Sequence, residues 1–122
     1  MAKKKFNCPA ELCLSLIGGR WKAILLYNMR KSPRRFGELR RLSPGITQAT
    51  LTRELRDLEA SGLVERSVLG RDRLSGVEYA LSPKGESLKP ILYAMIRWGI
   101  ANQSDYVIGE FGMAPFTNSR GS

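Results

Sequence analysis

A long amphipathic helix over residues 47–60 is the feature that most limits how this chain can fold. At about 100° per residue, one narrow apolar stripe of this helix holds Leu51, Leu55 and Leu58. The opposite side carries Ala49, Arg53, Arg56 and Ala60, with Gln48 and Thr52 on its flanks. A helix with this pattern packs on a core through its leucines and keeps a basic face in solvent.

Helices dominate the rest of the sequence, with one hairpin after the amphipathic helix. The elements predicted before it are a helix that opens at Cys8 or Pro9 and ends before Gly18, a helix over about 20–29, a short strand at 34–36, a short helix around Leu39 and Leu42, and a turn at 43–45. The elements predicted after it are strands at 63–68 and 77–81, joined by a polar tip, and a final helix over about 83–103. Pro90 is expected to kink this last helix or to start it again near Glu86, because proline removes a helical hydrogen bond.

The order of these elements predicts a winged helix-turn-helix fold. Two helices separated by a short turn are followed by a hairpin with a basic tip. The chain of 122 residues is therefore expected to be one domain, mainly α-helical with a small β-hairpin wing. We expect a flexible basic arm at 1–7, the winged helix-turn-helix DNA-binding and dimerisation domain at 8–103, and a loosely ordered tail at 104–122.

Positive charge is concentrated around the predicted motif. Lysine and arginine outnumber acidic residues 20 to 11, which gives a formal net charge of +9. Eight of the basic residues lie between positions 20 and 41, against one acid, Glu38. A field this concentrated favours a polyanionic partner, because cations release the counterions of phosphates. Double-stranded DNA is the polyanion that the predicted fold suits.

The second helix of the motif has side chains that suit the major groove of DNA. Gln48 suits an adenine edge, and the small Ala49 and Thr52 let the helix approach the bases. Arg53 and Arg56 are long enough to reach guanine edges or flanking phosphates. The helix by itself would also fit an ordinary amphipathic surface helix. The turn, the hairpin and the charge cluster favour DNA binding.

Four further arginines are predicted to contact DNA outside the recognition helix. Arg34 and Arg35, before the third helix, would bind phosphates and set the register without reading sequence. Arg71 and Arg73 lie at the predicted wing tip, where they could enter a minor groove or bind a phosphate. Asp72 between them weakens that attraction, so a solvated tip is the alternative.

The composition offers little for catalysis. The chain has no histidine, and its two cysteines, Cys8 and Cys13, lack the second pair that a zinc site needs. Neither a P-loop nor a dinucleotide-binding glycine motif occurs. We therefore expect no enzymatic activity, no cofactor and no bound metal. A small cysteine-dependent enzyme is the alternative, and alkylation of Cys8 would abolish its activity.

The N-terminal sequence suggests a cytoplasmic protein. Lys3, Lys4 and Lys5 could pass for the start of a signal peptide, but Asn7 and Glu11 interrupt any apolar run after them. No stretch approaches the ~18 consecutive apolar residues of a membrane span. Two cysteines without a secretory signal favour free thiols in a reducing compartment.

The last predicted helix is more apolar than a surface helix of a small monomer. It includes Leu92, Met95, Ile96 and Trp98. One side of such a helix can pack on the domain, and the other side is expected to meet a second copy of the chain. A two-fold dimer would place its recognition helices ~34 Å apart on a pseudo-palindromic operator. A core helix of a monomer is the alternative.

Several segments resemble the HxlR family of winged-helix regulators in their order and spacing. They are Cys8-Pro9, LIGGRWK at 16–22, RRFGELRR at 34–41, Leu51-Thr52 through Leu58-Glu59, Gly62-Leu63-Val64, Val77-Glu78-Tyr79, Leu81, Gly85 and Arg97-Trp98-Gly99, spanning about 8–103. The resemblance implies a dimeric cytoplasmic regulator whose first and last helices make the dimer, so Leu12 and Leu16 join the expected interface. The wing departs from the family pattern, with glycines and arginines where relatives often have prolines.

Cys8 is a candidate redox sensor. The resemblance implies that some relatives sense oxidants, electrophiles or quinones through the cysteine that matches Cys8. Independently, a helix N-terminus near Lys3, Lys4 and Lys5 favours the thiolate and raises its reactivity. At a dimer interface Cys8 could form a disulfide with Cys8 or Cys13 of the partner subunit. A capping or packed cysteine without a sensing role is the alternative, and Cys13 is expected in the core.

The sequence as a whole predicts a transcription regulator that binds specific sites in double-stranded DNA as a homodimer. An oxidant or a small molecule is the candidate effector. The alternative from another class is a winged-helix protein-interaction module, whose basic face binds an acidic protein and lacks specific DNA binding.

Overall fold

Helices make up most of the fold, in a computed structural model that describes residues 3–70 and 76–108. The helices are α1 Pro9–Ile17, α2 Lys22–Asn28, α3 Phe36–Arg41, α4 Gln48–Ala60, α5 Pro83–Glu86 and α6 Lys89–Ala101. The strands are β1 Arg34–Arg35, β2 Val64–Val68 and β3 Val77–Leu81, and a 3₁₀ turn at Gln103–Asp105 follows α6. The predicted winged helix-turn-helix, mainly helical with a small sheet, is confirmed.

Hydroxyl caps fix the starts of α4 and α5. Thr47 Oγ1 accepts a hydrogen bond from the backbone N–H of Thr50 at 3.1 Å, which satisfies one of the free amides at the start of α4. Two residues before this cap, Gly45 turns the chain with φ at +89°, a conformation that glycine adopts at little cost. Ser82 Oγ accepts from the backbone N–H of Gly85 at 3.0 Å and caps α5 in the same way.

The centre of the core lies between α2 and the leucine face of α4. Residues 24–28 of α2 are all buried. The leucines of α4 are Leu51, Leu55 and Leu58, each at most 1% exposed. Leu63, after α4, and Leu92, on α6, join the same cluster. The predictions of a central second helix and of one apolar stripe on the fourth are therefore confirmed.

The strands form one antiparallel sheet in the order β1-β3-β2. β2 and β3 make the predicted hairpin, and β1 pairs with the other edge of β3. The predicted strand at 34–36 is one residue shorter, because Phe36 already begins α3. Residues 71–75 at the hairpin tip, with the predicted contacts Arg71 and Arg73, lie outside the described residues.

The final helical segment consists of two helices, which is one of the two outcomes that Pro90 predicts. α5 ends at Glu86, and α6 begins at Lys89 with Pro90 in its first turn. In a continuous helix Pro90 would have no N–H to donate to the Glu86 carbonyl, and its ring would clash with that carbonyl. The restart near Glu86 that Pro90 predicts is confirmed.

Candidate nucleic-acid interface

The helix-turn-helix consists of α3, the turn at 43–45 and α4. Because α4 packs on the core through its leucines, its opposite side is turned outward. This recognition face comprises the exposed Gln48, Ala49, Arg53 and Arg56 and the half-buried Thr52. Together with Asp57, these residues line one concave surface. The structure thus brings all five residues that the sequence predicted on this helix onto one surface.

The polar groups of the recognition face have different surroundings. Arg53 Nη2 is 3.6 Å from Oε1 of Glu54, so its charge is partly compensated within the helix. Arg56 instead lines both the recognition face and a second groove, between α4 and the sheet. The hydroxyl of Thr52 donates to the backbone carbonyl of Gln48 at 2.9 Å, which leaves the Thr52 oxygen as an acceptor.

The second groove, of about 390 Å³, contains an arginine that sequence reasoning missed. Arg66 lies on β2 opposite Tyr79 of β3, and both residues line this groove with Arg56. The sequence did hold a signal, because alternate residues of a strand share a face and Arg66 follows the buried Val64 by two positions. One guanidinium from the helix and one from the sheet therefore share a groove beside the recognition face.

The two arginines of β1 have different roles in the structure. Arg34 Nε donates to the backbone carbonyl of Asn28 at 2.9 Å, and its Nη1 is 3.6 Å from Oε2 of Glu38. Arg35 is exposed, and its Nη1 lies beside Gly76 at the base of the wing. Arg34 thus ties β1 to the end of α2, whereas Arg35 presents a cation next to the wing.

Glu38 is an acid within the basic segment, and its carboxylate fixes the start of α3. The backbone N–H of Arg35 donates to Glu38 Oε1 at 3.0 Å. This hydrogen bond, with the nearby Arg34 guanidinium, holds the pKa of Glu38 below its ordinary value of 4.5. Glu38 is therefore ionised at neutral pH and satisfies an amide at the helix N-terminus.

Both cysteines are free thiols, and they differ in exposure. Cys8 is exposed at the N-cap position of α1, immediately before Pro9. Cys13 is half-buried and packs against the core, as predicted. A reagent in solution therefore reaches Cys8 more readily than Cys13.

Apolar side chains on α1 and α6 are exposed in the single protomer. The large ones are Leu12, Leu14, Ile91, Met95, Trp98 and Ile100, of which Trp98 is 68% exposed. Leu92 of α6 and Leu88 just before the helix pack on the core, and Leu92 is only 1% exposed. This corrects the prediction that Leu92 meets a partner. Leu16 also packs against the core, and Ile96 is half-buried.

Among residues 3–70 and 76–108, no group of three or more His, Cys, Asp or Glu side chains could hold a metal ion. Within the same ranges, no helix combines the length and the apolar character that crossing a membrane requires.

Comparison with known protein sequences identifies close similarity to helix-turn-helix regulators. A family model described as HxlR-like helix-turn-helix matches residues 16–106. The chain is 44% identical over 109 residues to the uncharacterized HTH-type transcriptional regulator YkvN of Bacillus subtilis. The matched region covers 88% of this chain and 92% of that protein.

Comparison with solved structures gives the same architecture. The redox regulator HypR in its reduced form is 45% identical with a TM-score of 0.76, over 80% of this chain and 96% of that one. The reduced form of the transcriptional regulator YodB from B. subtilis is 31% identical with a TM-score of 0.70, over 84% of this chain and 100% of that one.

Proposed function

The chain belongs to the HxlR-like helix-turn-helix family, and on that premise we propose that it is a transcription regulator that binds specific sites in double-stranded DNA as a homodimer. The observation that carries the proposal is the recognition face. α4 packs through leucines that are at most 1% exposed and turns Arg53 and Arg56 outward. A major groove ~12 Å wide admits one helix in this orientation. In this role the protein acts in the cytoplasm, by binding rather than by catalysis.

Base recognition in this proposal belongs to the recognition face. Arg53 and Arg56 have the donor geometry that binds the O6 and N7 of guanine, and Gln48 suits the N6 and N7 of adenine. Ala49 and Thr52 are small enough to let the helix backbone approach the base edges. These contacts give the complex its sequence preference.

Phosphate binding is assigned to arginines on both sides of the recognition face. Arg35 is exposed beside the wing, and Arg66 shares the second groove with Arg56. Such contacts set the register of the protein on DNA and contribute most of the salt-dependent affinity. Arg34 is half-buried and bound to the Asn28 carbonyl, and it stays part of the proposal as a phosphate contact. Arg71 and Arg73 of the wing tip stay part of the proposal as minor-groove or phosphate contacts.

The homodimer is assigned to the exposed apolar residues of α1 and α6, which we call the apolar surface. Large apolar side chains concentrated on two helices are typical of a surface that a partner covers. Leu12, Met95 and Trp98 are the predicted interface residues that are exposed. We retain the division of the chain into an arm at 1–7, a DNA-binding and dimerisation domain at 8–103 and a tail at 104–122.

A response to oxidants or electrophiles through Cys8 is the second layer of the proposal. Cys8 is exposed at the N-cap position of α1, and α1 carries part of the apolar surface. Modification of Cys8 would therefore act beside the surface that sets the spacing of the two recognition helices. A structural relative of this chain, HypR, is described as a redox regulator.

Fluorescence anisotropy tests the proposed function directly. The purified protein is titrated against a labelled duplex from its own upstream region and against a scrambled duplex, at low and at physiological salt. A regulator of this kind is expected to prefer the native duplex and to keep that preference at physiological salt. Equal binding to both duplexes that disappears with salt would contradict the proposal, because it is the behaviour of a purely electrostatic contact, and would favour a protein partner.

A further inference from the structure

Two carboxylates of α4 lie beside the recognition face. Asp57 lines the same concave surface as Arg53 and Arg56, and its side chain is 54% exposed. Glu54 is 3.6 Å from Arg53, and its side chain is 13% exposed. Carboxylates repel phosphates, and the repulsion grows where water is displaced. A helix that enters a DNA groove with both charges uncompensated would oppose its own binding.

Lys22 contacts both carboxylates from outside α4. Its Nζ lies 3.0 Å from Glu54 Oε2 and 3.4 Å from Asp57 Oδ2. Lys22 is the first residue of α2, so this contact connects the central helix of the core to α4. Burial lowers the pKa of Lys22, but hydrogen bonds and charges from Glu54 and Asp57 raise it above its ordinary value of 10.5. The ammonium is therefore present throughout the neutral range.

We propose that Lys22 is a positioning residue for DNA binding, which compensates the charges of Glu54 and Asp57 without itself touching DNA. The inference rests on the proposed function and adds a determinant of affinity that lies outside the recognition helix. Lys22 also holds the carboxylate oxygen of Glu54 that Arg53 does not contact. Glu54 thereby attracts Arg53 less strongly, and the Arg53 guanidinium stays available to DNA.

The test is a set of variants of the full chain, measured by anisotropy with the duplex from its own upstream region. Lys22→Gln is expected to weaken binding about tenfold, because the exposed Asp57 and one oxygen of Glu54 then lack a neighbouring cation near the phosphates. Asp57→Asn added to Lys22→Gln should recover most of the lost affinity for DNA. The same substitution in the wild-type background should raise the affinity far less. The slope of affinity against salt should stay unchanged, because no phosphate contact is removed.

Lys84→Gln is the matched control. Lys84 reaches the C-terminal end of α4 from outside, where its Nζ donates to the backbone carbonyl of the cap residue Ser61 at 3.0 Å rather than to a carboxylate. Asp57→Asn should therefore have the same effect on affinity with and without Lys84→Gln. Lys22→Arg, which keeps the charge, should bind nearly as tightly as the wild type.

Two results would overturn the inference. A direct phosphate contact by Lys22 would lower the salt slope by about one, and Asp57→Asn would leave the loss unrepaired. An undiminished affinity of Lys22→Gln would likewise rule out any contribution. Should Lys22→Gln fail to fold, the triple variant Lys22→Gln, Glu54→Gln, Asp57→Asn replaces it, because it removes the cation and both carboxylates together. This variant should fold and bind DNA nearly as tightly as the wild type. Weak binding by the triple variant would overturn the inference.

The wild-type protein separates this failure from a failure of the proposed function. A wild type that shows no preference for its own upstream duplex removes the proposed function, and the role of Lys22 with it. If the wild type prefers its own upstream duplex but the effects of Lys22→Gln and Asp57→Asn on affinity are additive, the role of Lys22 is removed. The proposed function then stays intact.

Discussion

Arg56 and Arg53 occupy unequal positions on the recognition face, although both are exposed. Arg56 lines two grooves, one of them shared with Arg66, whereas Arg53 is partly compensated by Glu54. We expect Arg56→Ala to weaken specific binding by about 1–3 kcal/mol if it reads a base, and Arg53→Ala to cost less within that range. Anisotropy titrations against the native duplex and single-base variants of it measure both losses.

The control for these two variants is Lys84→Ala, which removes one positive charge from a residue outside the recognition face and the apolar surface. Equal losses for Arg56→Ala and Lys84→Ala would show that only net charge matters. If neither Arg53→Ala nor Arg56→Ala alters binding, the assignment of α4 to the major groove is wrong.

Cys8 gives a prediction about regulation at the same scale. Cys8→Ser removes the exposed thiol at the cap of α1 and leaves the recognition face untouched. DNA binding without oxidant should therefore stay within about twofold of the wild type, and any response of binding to a thiol oxidant should disappear. Anisotropy with and without the oxidant measures this, and Cys13→Ser shows whether the response also needs the second thiol. An oxidant response that persists in Cys8→Ser would exclude Cys8 as the sensor.

Single side chains of the sheet were harder to predict than those of α4. Arg34 and Arg35 are adjacent and identical in sequence, yet Arg34 binds the Asn28 carbonyl while Arg35 stays exposed. Which of them contacts the protein depends on the pairing of β1 with β3, where Arg34 lies opposite Tyr79. That register is set by contacts between distant segments, and no local pattern encodes it. On a regular helix, by contrast, the helical period determines the face.

Whole elements, too, were predicted well where a local pattern determines them and less well where it does not. The helix predicted at 47–60 matches α4 to within one residue, because Thr47 is its cap and the leucine period runs to its end. The helix predicted at 83–103 is rich in apolar residues from Leu88 onward and is nevertheless divided before Lys89. Periodicity reports which residues are buried, whereas the continuity of a helix depends on its backbone hydrogen bonds. Pro90 interrupts those bonds, so it was the better indicator.

The start of α3 gives a prediction at the scale of elements. The depressed pKa of Glu38 means that its carboxylate stabilises the fold fully above the ordinary value of 4.5, and that this contribution is lost as the pH falls through the lower folded-state pKa. Glu38→Gln should therefore reduce the free energy of unfolding at neutral pH by no more than about 0.5 kcal/mol, since solvent screens a half-exposed group. The difference from the wild type should vanish in acid.

Thermal unfolding followed by circular dichroism between acid and neutral pH measures this difference. Glu65→Gln, which removes an exposed acid from β2, is the control for losing one negative charge. If Glu38→Gln stays less stable than the wild type by the same amount at every pH down to the most acidic one, the charge of Glu38 does not stabilise the start of α3.

At the scale of the whole molecule, charge and apolar surface lie on different elements. The recognition face and the second groove hold the exposed arginines of α4 and β2, whereas the apolar surface lies on α1 and α6. A protomer can therefore present one helix to DNA while a second copy covers its apolar side chains. Because two linked contacts bind far more tightly than one, affinity for a palindromic site should depend on the apolar surface as strongly as on the arginines.

Trp98 tests that dependence, because it is the most exposed large apolar side chain of α6, at 68%. Trp98→Glu places a charge where the proposed partner packs, so sedimentation should show a monomer where the wild type is a dimer. Binding to a full palindrome should fall at least about 100-fold, since each protomer then binds a half-site separately. Val68→Glu, at an exposed apolar position of the sheet, is the control for the sedimentation result. A Trp98→Glu variant that stays dimeric would move the interface away from α6, and a wild type that binds its palindrome as a monomer would contradict the homodimer itself.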